Sequence, residues 1–273
     1  MPTQAWPPYR VRTHNPSLMT ENRMHSDDVA RAHGFKGALV PGVTVFSHMT
    51  HPLVERYGEA WLARGTAEVS FAKPAYEGDW LTISTTADAS EKGGGAAHVV
   101  TCTNEQGVEL ARMTASLPDA AGAVDARAQL APAPPAGDRP LVTWELMEID
   151  RPFPALAWSP SQADNDEWCR DARDELPIYR AGFMHPGLTL RSANLVLRQR
   201  FLLPAWIHTA SRMMLRQPLR TGVGYEVRAI PEEKWQRKGH ELVRLYVAIR
   251  AGEVTVAEII HTAIFRPRQA AAA

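Results

Sequence analysis

Cysteine is nearly absent from the 273-residue chain. Cys102 and Cys169 are the only two and have no CxxC spacing, which excludes a disulfide framework and a thiolate metal site. Cys102 sits in an alternating apolar run and reads as core. Net charge is missing as well, because 30 Lys and Arg are balanced by 30 Asp and Glu. Without a basic excess the chain lacks the electrostatic footprint of nucleic-acid or membrane-surface binding. No apolar run approaches the ~20 residues of a bilayer-spanning helix. The start, Met1 to Arg10, is polar and proline-rich with no apolar signal core, so a cytoplasmic protein is expected. Gly93, Gly94 and Gly95 lack the strand and helix context of a dinucleotide loop and read as a hairpin turn.

What is present is the composition of an ordinary globular protein, 45% hydrophobic and 22% charged. The stretch 118–140 is dominated by Ala, Pro and Gly and reads as a linker. It divides the chain into units 1–117 and 141–268, leaving a tail, 269–273, expected to be disordered. The two units repeat one another. Gly42 of LVPG and Pro74 of FAKP stand at nearly the separation of Gly187 of MHPG and Pro218 of LRQP, and Gly78 and Gly222 each follow four residues later. Each unit then continues with a strand-like run, a polar turn (EKGGG; KWQRKG) and two alternating runs joined at Gly107 or Gly252.

Upstream of the strands the period changes. Asp27 to His33 reads as helix, and in VTVFSHMTHPLVERY, residues Val43, Phe46, Met49 and Leu53 share one helical face. Pro52 is expected to kink or end that helix. Leu188 to Leu197 holds the corresponding place in the second unit, and Ala205 to Leu215 is a further apolar-rich stretch. Each unit is therefore expected to pack one long helix across a curved antiparallel sheet, an α+β arrangement, with the two sheets joined edge to edge.

The segment TENRMHSDDVARAHGFKGALVPG, through Asn22, His25, Asp27, Ala30, Phe35 and Gly42, together with Phe71, Pro74, Gly78 and Asp79, resembles the MaoC-type dehydratases. These are hot-dog fold hydratases of (R)-hydroxyacyl thioesters. The resemblance implies a fused double hot-dog chain and reversible hydration of a 2-enoyl thioester. Its substrate would be carried on coenzyme A or phosphopantetheine, with no other cofactor and no metal. It implies His25 as acid/base, Asn22 orienting it, and N–H groups of Gly42 and Val43 holding the thioester carbonyl. Pro41 has no N–H and contributes none.

The pattern's catalytic Asp is replaced here by Thr20. Glu21 is the adjacent carboxylate and the candidate substitute, although an offset of one residue turns a side chain in a different direction. Thr50, two turns into the helix, either donates a hydroxyl to the pocket or faces solvent. In the second unit the residue three past Asn165 is Trp168, with no histidine, so one active site per chain is expected. His185 is either a contributor to that site or a helix-capping histidine. Arg191, Arg198, Arg200, Arg212 and Arg216 either meet the phosphates of the carrier or solvate helix faces. Asp27 and Asp28 read as first-turn acids. His48 and His51 lack the context of a zinc pair.

A thioesterase using Glu21 or Glu55, and a non-catalytic thioester-binding protein, are the alternatives. A homodimer of whole chains is expected on general grounds.

Overall fold

A computed structural model of the chain describes residues 6–17, 21–88, 95–135 and 137–268. The first unit runs β1 (Tyr9–Arg12), a single 3-10 turn (Arg23–His25), α1 (Asp27–Ala32), α2 (Gly42–Tyr57), α3 (Glu59–Arg64), β2 (Thr66–Phe71), β3 (Trp80–Ala87), β4 (Ala96–Asn104) and β5 (Glu109–Leu117). The second runs β6 (Leu156–Trp158), α4 (Gln162–Asp171), α5 (Pro177–Arg180), α6 (Pro186–Arg200), β7 (Ile207–Leu215), β8 (Tyr225–Arg237), β9 (His240–Ala251) and β10 (Val254–Arg266).

The strands form one sheet in the order β1-β3-β4-β5-β2-β7-β10-β9-β8-β6. The order is palindromic under exchange of the units, so the internal repeat has become a pseudo-twofold axis. That axis passes between β2 and β7, which pair antiparallel with Thr66 opposite Met214 and Ser70 opposite Ala210. The edge-to-edge joining expected from the repeat is therefore a continuous ladder. The two long helices, α2 and α6, pack against each other and against the sheet, and the core lies between them and the strands, with Phe46, Met49, Leu53, Leu190 and Val196 all buried. No helix among the described residues is long and apolar enough to cross a membrane.

Two expectations change, and one stretch left open is assigned. Pro52 lies inside α2 without ending it; it is buried with Leu53 and Val54, and tertiary packing outweighs the one lost backbone bond. Ala205 to Leu215 contains the central strand β7. β8 runs on through most of KWQRKG, and the reversal is confined to Lys238 and Gly239, both at positive φ.

The described part of the 118–140 stretch is docked on the outer face of the second unit. Ala128 is fully buried, and its carbonyl accepts from Arg250 at 2.9 Å. The Asp125 N–H donates to the buried Glu258 at 2.9 Å, and Arg216 donates to the carbonyls of Gly122 and Ala123. Small residues offer little apolar surface, but their backbone can be held by buried charged partners. Gly93, Gly94 and the 269–273 tail lie outside the described residues.

Candidate functional site

The site is built on the segment between β1 and α2. Asn22 caps the 3-10 turn: its Oδ1 accepts from the Met24 N–H at 3.3 Å and from the Trp206 N–H at 3.1 Å. Its Nδ2 donates to the Trp206 carbonyl at 3.0 Å and lies 3.1 Å from His25 Nε2. Trp206 thus meets the amide with one donor and one acceptor, which fixes its orientation across the two units. His25 Nδ1 lies 2.7 Å from the Leu39 carbonyl. A carbonyl only accepts, so Nδ1 carries the hydrogen and Nε2 the lone pair that Asn22 addresses. Burial holds the His25 pKa below its usual value against the weaker opposing pull of the Leu39 carbonyl. The imidazole is neutral near pH 7, with Nε2 as its proton-accepting atom.

Two cavities meet at this ring. One, of about 200 Å³, has polar walls, with Asp164, Glu167 and Asp171 of α4 and Arg191 and Arg198 of α6. The other, of about 220 Å³, is mainly apolar, with Met24, Phe35, Val45, Phe71 and Ile264. Asn22, His25, Pro41, Asn194 and Trp206 line both. Val43 faces the first cavity and Gly42 the second. These two residues open α2, and among the described residues their N–H groups have no hydrogen-bond acceptor. That is the ordinary condition of a helix start, where the local field is positive.

The remaining sequence candidates are not brought to this junction. Glu21 binds Arg139 at 2.8 Å and Arg198 at 3.5 Å. Burial would raise its pKa, but the two guanidinium groups hold it below the usual carboxylate range. It lines neither cavity, which runs against it as the substitute for the missing Asp. Thr20 itself lies outside the described residues. Thr50 is fully buried and donates to the Ser47 carbonyl at 3.0 Å. His185 caps α6, its Nδ1 accepting from the Gly187 N–H at 3.0 Å and its Nε2 lying 3.2 Å from Asp174. Asp174 also meets His51 at 3.0 Å, and His48 Nε2 lies 3.0 Å from the Thr13 hydroxyl. Glu55 is exposed and lines neither cavity.

The pseudo-equivalent place in the second unit is plugged. The Trp168 indole N–H donates to Ser47 at 3.1 Å, and a Cβ on Gly187 would lie 2.8 Å from that nitrogen. The helix start corresponding to Gly42 is therefore closed by the residue that stands where the first unit has His25.

Sequence reasoning missed Glu167, Asp171, Asn194, Trp206 and His208 as site residues. For the acids a signal existed: Asp164, Glu167 and Asp171 recur at i, i+3 and i+7 and so share one helical face. For Asn194, Trp206 and His208 only the pairing of the two units brings them to His25.

No protein-family model and no curated protein matches the sequence. Solved structures do resemble the fold. A protein described as a MaoC domain dehydratase from Chloroflexus aurantiacus is 14% identical, with TM-score 0.65 over 98% of this chain and 96% of that one. A conserved Mycobacterium tuberculosis protein described as a double hot-dog fold is 15% identical, with TM-score 0.61 over 96% of each chain. A protein described as an oleoyl thioesterase from Lactobacillus plantarum is 9% identical, with TM-score 0.57 over 98% of each. The chain has the double hot-dog fold. That architecture is shared by dehydratases and thioesterases, so activity has to be argued from the site.

Proposed function

We propose that the chain is a cytoplasmic hydro-lyase that reversibly adds water to a 2-enoyl thioester of coenzyme A or an acyl carrier. The observation that carries this reading is His25, a neutral imidazole with its basic nitrogen fixed, at the meeting point of an apolar and a polar cavity beside the free N–H groups of α2. The acyl chain occupies the apolar cavity. The carrier arm leaves through the polar one, past Arg191 and Arg198. The Gly42 and Val43 N–H groups polarise the thioester carbonyl, which makes C3 electrophilic and stabilises the enolate that forms when water adds.

Proton transfer needs a base for the water and an acid for C2. His25 Nε2 takes one of these roles. For the other we assign Asp171, the least exposed of the three α4 carboxylates on the cavity wall. Burial, with a smaller push from Glu167, holds its pKa above the usual value against the opposing pull of His14, Arg170 and Arg173.

The same wall bears on the thioesterase alternative, because a carboxylate beside the carbonyl can activate water for hydrolysis. Hydration and hydrolysis are separated by one assay. Loss of enoyl-thioester absorbance from crotonyl-CoA and a longer enoyl-CoA is followed beside free-thiol release, in wild type, His25→Ala, Asp171→Asn and Glu21→Gln. The reading expects hydration that falls ~100-fold or more in the first two variants and is retained in Glu21→Gln. Thiol release without hydration would transfer the site to thioester hydrolysis, and neither signal would leave a binding protein.

A further inference from the structure

Among the polar groups of the apolar cavity that hydration leaves unused, one is buried against the helix start. His208, at the start of β7 in the second unit, forms part of the cavity wall beside Gly42 and Phe71. It is 7% exposed, and its Nδ1 is buried without a hydrogen-bond partner. The ring stands against the opening residue of α2: a Cβ on Gly42 would lie 2.9 Å from His208 Nδ1 and 3.2 Å from the Phe71 ring. Only glycine at this position lets the imidazole pack this closely against the helix start.

The far side of the ring is held by a relay. His208 Nε2 lies 2.8 Å from Ser211 Oγ, which lies 3.0 Å from His261 Nδ1. Burial and the neighbouring His261 hold the His208 pKa well below its usual value against the weaker opposing pull of the Ala210 backbone, so the ring is neutral. Ser211 has one hydrogen to donate, and this couples the two rings. When it donates to His208 Nε2 it accepts from His261 Nδ1–H, and His208 Nδ1 is then an N–H donor facing Gly42. An unpaired buried donor is unfavourable, and an acceptor brought within reach of it beside the Gly42 N–H removes that penalty.

We infer that His208 Nδ1–H is a second donor to the thioester carbonyl, completing with the Gly42 N–H an oxyanion site built from both units. The inference rests on thioester binding at this helix start, which hydration and hydrolysis share. In either reaction negative charge develops on the carbonyl oxygen, as an enolate or as a tetrahedral oxyanion. Proline at position 41 removes one backbone donor from the site, and His208 supplies a side-chain donor in its place.

The test uses a probe that can be neither hydrated nor hydrolysed, the butyryl-CoA analogue with CH₂ in place of sulfur, labelled with ¹³C at its ketone carbon. Its carbonyl resonance is recorded bound to wild type, His208→Phe, His208→Asn and Ser211→Ala. The expected result is a downfield shift on wild type that is largely lost in His208→Phe and partly restored in His208→Asn, whose amide nitrogen approximates the Nδ1 position. Ser211→Ala, which unlocks the tautomer without touching the probe, should weaken the shift. Turnover by His208→Phe should fall on the order of 100-fold in kcat/KM. An equal carbonyl shift on wild type and a folded, probe-binding His208→Phe overturns the role of His208 and leaves thioester binding intact. Failure of wild type to bind the probe overturns both.

Discussion

Three imidazoles, His48, His208 and His261, are buried and neutral, and this sets an acid limit on stability. Burial pushes His48 and His261 each down to about 3, and burial with His261 holds His208 well below its usual value. In the unfolded chain each titrates near 6.5. As pH falls through 6.5 the unfolded state takes up protons that the folded state refuses, so stability is lost toward acid. Each group contributes up to about 1.4 kcal/mol per pH unit. Three together give a loss of about 4 kcal/mol between pH 7 and pH 5.5. That is a large share of the roughly 5–15 kcal/mol of a typical domain.

Asp174 does not offset the loss. Burial would raise its pKa, but its hydrogen bonds to His185 and His51 hold it far below the window, so it is ionised in both states. The assay is urea unfolding followed by tryptophan fluorescence at pH 7.0, 6.0 and 5.5. His261→Phe should reduce the pH slope by about a third. A midpoint that stays flat from pH 7 to pH 5.5, with unchanged m-value, would refute the assignment of neutral buried imidazoles.

Other consequences are local. Asn22→Leu removes both donors and acceptors that bind Trp206 and His25; it should cost about 1–3 kcal/mol in thermal or urea unfolding and lower turnover together with it. Gly187→Ala drives a methyl group into Ser47 and Trp168, and a net loss of about 1–3 kcal/mol is expected in urea unfolding, relieved in part by Ser47→Ala. The Cys102 and Cys169 thiols are both pushed up by burial to about 12, so a disulfide reagent at pH 8 should modify native protein far more slowly than protein in denaturant. Light scattering of the purified chain checks the expected homodimer.

Much of the architecture was legible because its signals are local. Helical spacing in 43–57, alternation in the β4–β5 and β9–β10 runs, and glycines at the positive-φ turn positions Gly107 and Gly252 are read from neighbouring residues. The repeat predicted two units with their sheets joined edge to edge. Asn22 and His25 were legible as a spaced pair, and the structure brings them together with Gly42 and Val43 at the junction of the two cavities.

What the sequence could not carry depends on contacts between the units. Glu21 has the right chemistry, but Arg139 and Arg198 draw it away. His185 carries an imidazole beside a helix start, but Asp174 and the α6 cap hold it in the core. Asp171 is marked only by its helical spacing with Asp164 and Glu167, and Asn194 and His208 have no motif around them. They reach the site only because β2 pairs with β7 and sets α4, α6 and the start of β7 of one unit against α2 of the other. Periodicity, capping and turn chemistry act over a few residues and are written in the chain. The second half of this site is fixed by a pseudo-twofold packing whose partners are more than a hundred residues apart, and only the tertiary structure decides it.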